Sequence, residues 1–200
     1  EKFRCSAESR DRIRKEFSIQ KQTLVLGNVG RIHTQRNHTY LLGIFNDFHS
    51  KHPDSTLMIA GEGPLEDEIR AKIKKLGLED CVILTGVRTD VESLLCAMDV
   101  FVFPSLYEGL PVTLVEAQCS GLPCVVSDIV TDEVDVAGIM TKVCLKASPE
   151  HWTAEIEKAL SGERQDRADT VRQAGYEIID TARWLQTFYL ELHSQEKHSR

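Results

Sequence analysis

Short runs of β-branched and aromatic residues alternate along the chain with longer amphipathic segments. The short runs predict five strands, at residues 23–29, 56–60, 82–85, 100–103 and 124–127. The amphipathic segments predict helices at residues 37–50, 65–77, 90–98 and 111–121. Near-continuous apolar strands separated by helices are typical of a parallel sheet covered on both faces. We therefore predict an α/β fold, a Rossmann-like doubly wound parallel sheet with extra C-terminal helices.

The same pattern divides the chain into three parts. Residues 1–20 predict a peripheral helical or linker segment, and residues 21–162 hold the alternation of strands and helices that forms the binding domain. Residues 163–200 predict further helices, which we expect to pack on this domain and on a missing N-terminal domain. The chain does not begin with methionine, so we expect it to be part of a longer protein.

Composition narrows the class of protein. The net charge of −7 over 200 residues argues against a nucleic-acid binder, which is expected to carry a basic face. Six cysteines form no CxxC pair, so we expect reduced thiols in a cytoplasmic protein. No apolar stretch reaches transmembrane length, and no signal peptide is visible.

The residues that follow the predicted strands indicate where a ligand binds, because ligands of open parallel sheets lie beyond the carboxyl ends of the strands. These segments are GNVGR (27–31), GEGP (61–64), TGVR (85–88), PSLYEGLP (104–111) and SD (127–128). Tight turns need glycine in any α/β protein, so the glycines alone indicate little. The addition of Arg31, Arg36, Arg88, Glu108 and Glu116 predicts a binding edge.

Two of the arginines are typical of an anion site. Arg31 and Arg36 flank the start of the predicted helix at 37–50, where guanidinium groups and unpaired backbone N–H groups suit a phosphate or diphosphate. A surface salt bridge is the alternative for each arginine taken alone. The glycine spacing is not GxGxxG, so a nicotinamide dinucleotide site is not indicated.

The two glutamates call for a different ligand group. Glu108 lies in a Gly/Pro turn, and Glu116 lies on the next helix, in a polar stripe with Thr113 and Ser120. The stripe either faces solvent or lies under a ligand. A carboxylate repels a diphosphate, so near one it helps only by accepting hydrogen bonds from hydroxyls. A nucleoside diphosphate sugar carries such hydroxyls at both ends.

These residues resemble the C-terminal, donor-binding domain of GT-B-fold retaining glycosyltransferases of family 4, the group-1 type. The resemblance is carried by GNVGRIHTQRNH (27–38), IAGEGPLEDEI (59–69), the stretch from VILTGVR to CVVSD (82–128) and TDEV (131–134). The third stretch contains the family's E-x7-E motif and is highly specific, whereas the first two are weak alone. The sequence around SDIVTDEV (127–134) is similar to that of family members which make bacterial capsular polysaccharides or exopolysaccharides.

The resemblance implies a role for each site residue. Arg31 and Arg36 are expected to bind the diphosphate, although this chain has Arg36 where the family has lysine, so a planar fork replaces a compact ammonium. Glu108, at the catalytic position, is expected to contact the donor sugar, and Glu116 the ribose. The other implied donor-binding positions are Gly30 and Glu62, which are given no specific role. The loop at Val87 and Arg88 is expected to meet the base, and the backbone around Gly109, Leu110 and Pro111 to approach the sugar and the phosphates.

The implied reaction is transfer of a hexose from a UDP- or GDP-sugar to an acceptor hydroxyl, with retention at the anomeric carbon and without a metal or other cofactor. The acceptor, lipid-linked or a polysaccharide, is expected to bind a missing N-terminal domain, so this chain alone is expected to transfer little sugar. The resemblance places the full-length protein in the cytoplasm or at the cytoplasmic face of the membrane.

Two other functions are compatible with the same residues. One is a GT-B-fold nucleotide-sugar epimerase or a phosphorylase, although no lysine suits the pyridoxal group of a phosphorylase. The other is a non-catalytic nucleotide-sugar-binding module. We also expect the histidines at 33, 38, 49 and 52 to be solvated. In the family the last helix returns toward the missing domain, so Trp184, Phe188, Tyr189 and Leu192 are expected to be partly exposed.

Overall fold

The computed structural model describes the backbone of residues 2–198 and the side chains of residues 2–191 and 193. Its strands are β1 (Leu24–Val29), β2 (Ser55–Ala60), β3 (Val82–Leu84), β4 (Val100–Phe103), β5 (Cys124–Ser127) and β6 (Met140–Val143). Its helices are α1 (Ala7–Glu16), α2 (His38–Lys51), α3 (Glu66–Leu76), α4 (Val91–Ala97), α5 (Val112–Cys119), α6 (Pro149–Leu160), α7 (Ala168–Gln173) and α8 (Ile178–His198).

The six strands form one parallel sheet in the order β3-β2-β1-β4-β5-β6. This confirms the predicted doubly wound α/β fold. Strand β6 was missing from the prediction, because it lies at the edge of the sheet and its sequence, MTKV, has only one fully buried residue. A half-covered edge strand does not give the continuous apolar run that marks a central strand.

Helices cover both faces of the sheet. One core cluster joins buried residues of α1, α4, α5 and α7 to one face, with Phe101 and Phe103 at its centre. The other joins α2, α3 and α6 to the opposite face, around Phe45, Phe48 and Trp152. The strand order reverses between β1 and β4, so the loops that follow these strands leave toward opposite faces and leave a crevice between them.

Helix α1 is part of the domain rather than peripheral to it. It packs against α4, and its Ile13 and Arg14 are 0% and 4% exposed. The helix expected within residues 1–20 is therefore present, and it packs on the domain. The amphipathic pattern located the helix but did not reveal that an arginine on it is buried. The domain boundaries at residues 20 and 162 stay a prediction.

The two C-terminal helices differ in how they pack. Helix α7 packs on α5 through Ala168 and Val171. In α8 every described side chain is exposed, with Trp184 stacked on Phe188 and with Tyr189 65% exposed. The expected exposure of Trp184, Phe188 and Tyr189 is therefore observed, whereas the side chain of Leu192 lies outside the described residues. Packing of the C-terminal helices on the domain and on a missing N-terminal domain stays a prediction.

No helix among residues 2–198 combines the length and the hydrophobicity that a membrane span requires.

Candidate functional site

Glycines let the loops after β1, β2 and β3 contact one another through their backbones. The Gly61 N–H donates to the Gly86 carbonyl at 2.9 Å, and Gly61 has a φ of +135°. A Cβ on Gly61 would overlap the Gly30 carbonyl oxygen, and one on Gly63 would overlap the Ile32 carbonyl oxygen. Glycine is therefore required here for backbone contact, whether or not a ligand binds.

The loops that follow β1 and β4 are also joined to each other. The Leu106 N–H donates to the Gln35 carbonyl at 2.8 Å, and the Gln35 Nε2 donates to the Tyr107 carbonyl at 3.0 Å. The Asn37 Nδ2 donates to the Pro104 carbonyl at 3.1 Å. The two loops at the point where the strand order reverses therefore form one connected unit.

This unit brings Arg36 and Glu108 into contact. The Arg36 Nη1 donates to the Glu108 Oε1 at 2.7 Å, and the Arg36 guanidinium lies over the Phe103 ring at 4.8 Å. The two side chains are 18% and 5% exposed. Gly30 leaves room for this arrangement, because a Cβ there would come within 2.9 Å of the Arg36 Nε. The sequence placed Arg36 on the phosphate and Glu108 on the sugar, and it did not predict that they would pair with each other.

Arg31 lies nearby in a different setting. It is exposed and lines a cavity of about 530 Å³ together with Glu62, Gly63, Pro64 and Glu66. Among the described residues, Arg31 forms no hydrogen bond or ion pair through its side chain. Its charge is therefore available to an anionic ligand, and the structure places Glu62 beside it.

The start of α5 offers unused backbone donors. The helix begins at Val112, one residue later than predicted, so Pro111 precedes the helix instead of occupying its first turn, and no side chain caps it. In the described part of the chain, the amides of Gly109, Leu110, Val112 and Thr113 have no acceptor. A helix start with free N–H groups attracts anions.

Glu116 lies on α5, one turn after Thr113 and on the same face of the helix. It is half-buried, and within residues 2–198 its carboxylate has no hydrogen-bond or ion-pair partner. Burial raises the pKa of Glu116, Lys2 counteracts this shift and Glu92 adds to it. The Thr113 Oγ1 is also buried without a partner. Ser120 of the same stripe is buried as well, at 2% exposure, but its hydroxyl has a partner, since it donates to the Ala117 carbonyl at 2.8 Å.

Arg88 is not free to bind an anion. It pairs with Glu16 of α1 at 2.6 Å and with Asp90 at 2.9 Å, and both carboxylates raise the pKa of Arg88. A guanidinium held by two carboxylates carries no spare charge for a ligand. Contact of the loop at Val87 and Arg88 with the base stays a prediction, and Val87, 66% exposed, is available to a ligand there.

Sequence reasoning missed a buried polar pair below the site. The Asn28 Nδ2 donates to the Val102 carbonyl at 2.8 Å, and the Asn28 Oδ1 lies 3.2 Å from the His38 Nε2. Because an amide oxygen only accepts, the His38 Nε2 carries the proton. The His38 Nδ1 is then a buried acceptor, and it has no partner among the described residues.

His38 is 2% exposed, so the expectation that it is solvated is wrong. Burial, with a smaller contribution from Arg36, lowers the pKa of His38 to about 4, which keeps the ring neutral. The available signal was Asn28 itself, since an asparagine inside a central parallel strand needs a buried hydrogen-bond partner.

Within the part of the chain that the structure describes, no three His, Cys, Asp or Glu side chains group in a way that could hold a metal ion.

Residues 9–177 match the family described as Glycosyl transferases group 1. The chain belongs to the group 1 glycosyltransferase family. The match spans the whole sheet and every site residue described above, from Gly30 to Glu116.

Named relatives agree with this membership. The chain is 34% identical over 204 residues to "Putative glycosyltransferase EpsF" of Bacillus subtilis, which covers 100% of this chain and 53% of that protein. It is 35% identical over 132 residues to the UDP-Gal:alpha-D-GlcNAc-diphosphoundecaprenol alpha-1,3-galactosyltransferase of Escherichia coli, covering 64% of this chain and 34% of that one. This group 1 chain thus spans about half, or less, of the length of these relatives.

A solved structure shares the fold. Anabaena Alr3699/HepE, crystallised with UDP and glucose, superposes with a TM-score of 0.75 at 18% identity, over 94% of this chain and 53% of that one. At this identity the likeness concerns the fold of the group 1 domain.

Proposed function

We propose that this chain is the donor-binding half of a retaining glycosyltransferase of family 4, which moves a hexose from a nucleoside diphosphate sugar to an acceptor hydroxyl. The observation that carries the proposal is the contact between Arg36 and Glu108 at the reversal of strand order, beside the uncapped start of α5. Opposite charges meet there at the place where ligands of open α/β sheets bind.

Arg31, Arg36 and the free amides at the start of α5 form the diphosphate part of the site. Arg31 is exposed and has no side-chain partner among the described residues, and Arg36 lies at the same edge, where its guanidinium contacts Glu108 in the ligand-free chain. Guanidinium groups and free N–H groups stabilise a diphosphate, above all the extra charge that develops when it leaves the sugar. We propose that this charge stabilisation replaces a metal ion.

The two carboxylates form the hydroxyl-binding part of the site. Glu116 is half-buried without a partner, so its ionised form gains from donors that a ribose supplies. Glu108, adjacent to the free amide of Gly109, is proposed to hold the donor sugar next to its reacting carbon. The loop at Val87 is proposed to contact the base.

The relatives suggest which donor to test first. The E. coli relative is named for UDP-Gal, and the Anabaena structure contains UDP and glucose. We propose a UDP-sugar as donor, with a GDP-sugar as the second candidate, and a role in bacterial surface polysaccharide synthesis. The acceptor site belongs, in this proposal, to the half of the protein that this chain does not span, and the whole enzyme works in the cytoplasm or on its membrane face.

The proposal is tested by calorimetry with UDP, GDP and UDP-glucose. We expect UDP to bind, and we expect Arg31→Ala to weaken it about thirtyfold, because charge-assisted contacts to phosphate are among the strong hydrogen bonds. Arg183→Ala is the matched control, since Arg183 is a 76% exposed arginine on α8 that pairs with Asp180 of the same helix. Binding that is unchanged by Arg31→Ala contradicts the diphosphate assignment.

Binding alone does not separate an enzyme from a nucleotide-sugar sensor or an epimerase. The full-length protein decides between them. Incubated with a UDP-sugar and a lipid-linked acceptor, an enzyme of the proposed class lengthens the acceptor by one sugar and releases UDP. Donor binding without any product would leave only a binding module.

A further inference from the structure

The proposed function assigns Arg36 to the diphosphate and Glu108 to the sugar, but in the ligand-free chain these two side chains form an ion pair with each other. We propose that the Arg36–Glu108 pair is an exchange contact: it opens for a nucleotide sugar and closes against the free nucleoside diphosphate. The site would thereby distinguish donor from product. This inference rests on the proposed function and adds selectivity to it.

The pair is too well covered to open without compensation. The Glu108 side chain is 5% exposed and accepts from the Arg36 Nη1 at 2.7 Å, and no other side chain among residues 2–191 and 193 donates to it. The Arg36 guanidinium also lies over the Phe103 ring at 4.8 Å, which covers one of its faces. Removing one member of such a pair leaves a nearly buried charge without a partner, which is strongly unfavourable.

Opening the pair leaves both Arg36 and Glu108 in need of a new partner, and a bare diphosphate supplies one only for Arg36. When it draws Arg36 toward its oxygens, Glu108 loses its single side-chain donor and gains nothing, because two anionic groups repel each other. Part of the gain from phosphate binding is therefore lost at Glu108. The pair thus weakens the affinity for free UDP.

A nucleotide sugar meets both halves. Its diphosphate takes Arg36, and its sugar hydroxyls supply the donors that Glu108 has lost. After transfer the sugar is gone, so Glu108 recovers Arg36 and UDP is displaced. The Arg36–Glu108 pair thus favours the nucleotide sugar over UDP and promotes the release of UDP after transfer.

The test is Glu108→Gln, which keeps the size of the side chain and removes its charge. We expect this variant to bind UDP about tenfold more tightly than the original chain, because Arg36 no longer has a competing anion. We also expect the advantage of UDP-glucose over UDP to shrink. The matched control is Glu155→Gln on α6, where Lys158 is the partner at 2.6 Å, and its affinities are expected to stay unchanged.

An unchanged or weaker affinity of Glu108→Gln for UDP overturns the inference. Urea unfolding verifies that the variant folds, and Glu108→Ala serves as the second variant if it does not. Inorganic diphosphate separates this inference from the proposed function. If the original chain binds none of UDP, UDP-glucose and GDP, the proposed function fails. Tighter binding of inorganic diphosphate to Glu108→Gln than to the original chain still supports the exchange contact, and equal binding overturns it.

Discussion

Arginines occur at both ends of the sheet, and they are used in opposite ways. At the amino end, Arg14 and Arg10 donate to the two oxygens of Asp99 at 2.7 and 2.6 Å, and Arg14 is 4% exposed. At the carboxyl end, Arg31 has no side-chain partner among the described residues, and Arg36 uses one of its N–H groups on Glu108.

The difference lies in how completely each guanidinium is satisfied. At the amino end, Arg164 donates to the carbonyls of Leu95, Cys96, Met98 and Ser120, and all these bonds lie between 2.8 and 3.3 Å. A saturated arginine stabilises the fold and has no donor left for a ligand. An arginine with unused donors adds little to the fold and is available for binding. We therefore expect substitutions at the amino end to change stability, and substitutions at the carboxyl end to change affinity.

The largest expected effect is that of Asp99→Ala. Asp99 accepts from Arg10, Arg14 and the Val25 N–H, so its removal leaves the buried Arg14 charge uncompensated. We expect the free energy of unfolding to fall by about 3–5 kcal/mol in urea titrations. Asp180→Ala, which removes an exposed carboxylate of α8, is the control and is expected to cost less than about 1 kcal/mol. Equal effects of the two substitutions would remove the contrast between the ends.

The buried pair below the site gives a pH effect of intermediate size. The pKa of His38 is lowered in the folded state from 6.5 to about 4, so the unfolded chain binds the proton first as the pH falls. This contribution to stability is present above about pH 6.5 and is lost as the pH falls toward 4. Between pH 7 and pH 5 we expect His38→Gln to lose about 2 kcal/mol less stability than the original chain. The exposed His151→Gln should behave like the original chain, and a parallel pH curve for His38→Gln would place His38 in a solvated state.

A smaller effect is expected at the carboxyl end on binding. Glu116→Gln keeps the hydrogen-bonding shape but loses the charge, so we expect UDP to bind about tenfold more weakly in calorimetry. The carboxylate of Glu155 on α6 is again the control, and Glu155→Gln should leave the affinity unchanged. If Glu116→Gln binds UDP as the original chain does, Glu116 does not hold the ribose.

The smallest effect concerns the stability of the same variant. Burial raises the pKa of Glu116, so the unfolded chain ionises first, and ionisation of the folded chain lowers its stability as the pH rises. Glu116→Gln removes this penalty and should raise the free energy of unfolding at pH 7 by a few tenths of a kcal/mol, within the ~0.5 kcal/mol typical of substitutions outside the core. The gain should vanish near pH 4. A loss of stability at pH 7 would indicate that Glu116 has a structural partner.

The sequence predicted the elements that are central and continuous in pattern. Strands β1, β2 and β4 are runs of buried residues, so their position and the edge at which they end followed from periodicity. The same reasoning placed Arg36 and Glu108 at one edge. It did not predict their ion pair, because a contact between residues 72 positions apart depends on how β1 aligns with β4.

The settings of Arg88 and His38 were not predicted for the same reason. Arg88 and Glu16 are also 72 positions apart, and only the packing of α1 on α4 brings them together. His38 sits at the start of a helix, where the pattern predicts solvent, and its burial is decided by Asn28 on a neighbouring element. Local pattern thus located the site, whereas long-range contacts decided which of its charges are free.

The saturated arginines have a consequence for any attempt to divide this polypeptide. Arg10 and Arg14 come before the stretch 21–162, Arg164 comes after it, and together they supply the donors for the final carbonyls of α4. A fragment trimmed to 21–162 would leave those carbonyls without their donors. It would also leave Asp99 without Arg10 and Arg14. The segments on both sides of 21–162 therefore stabilise the domain. The shortest fragment that folds on its own has to include Arg10, Arg14 and Arg164, although these lie at the opposite end of the sheet from the proposed ligand.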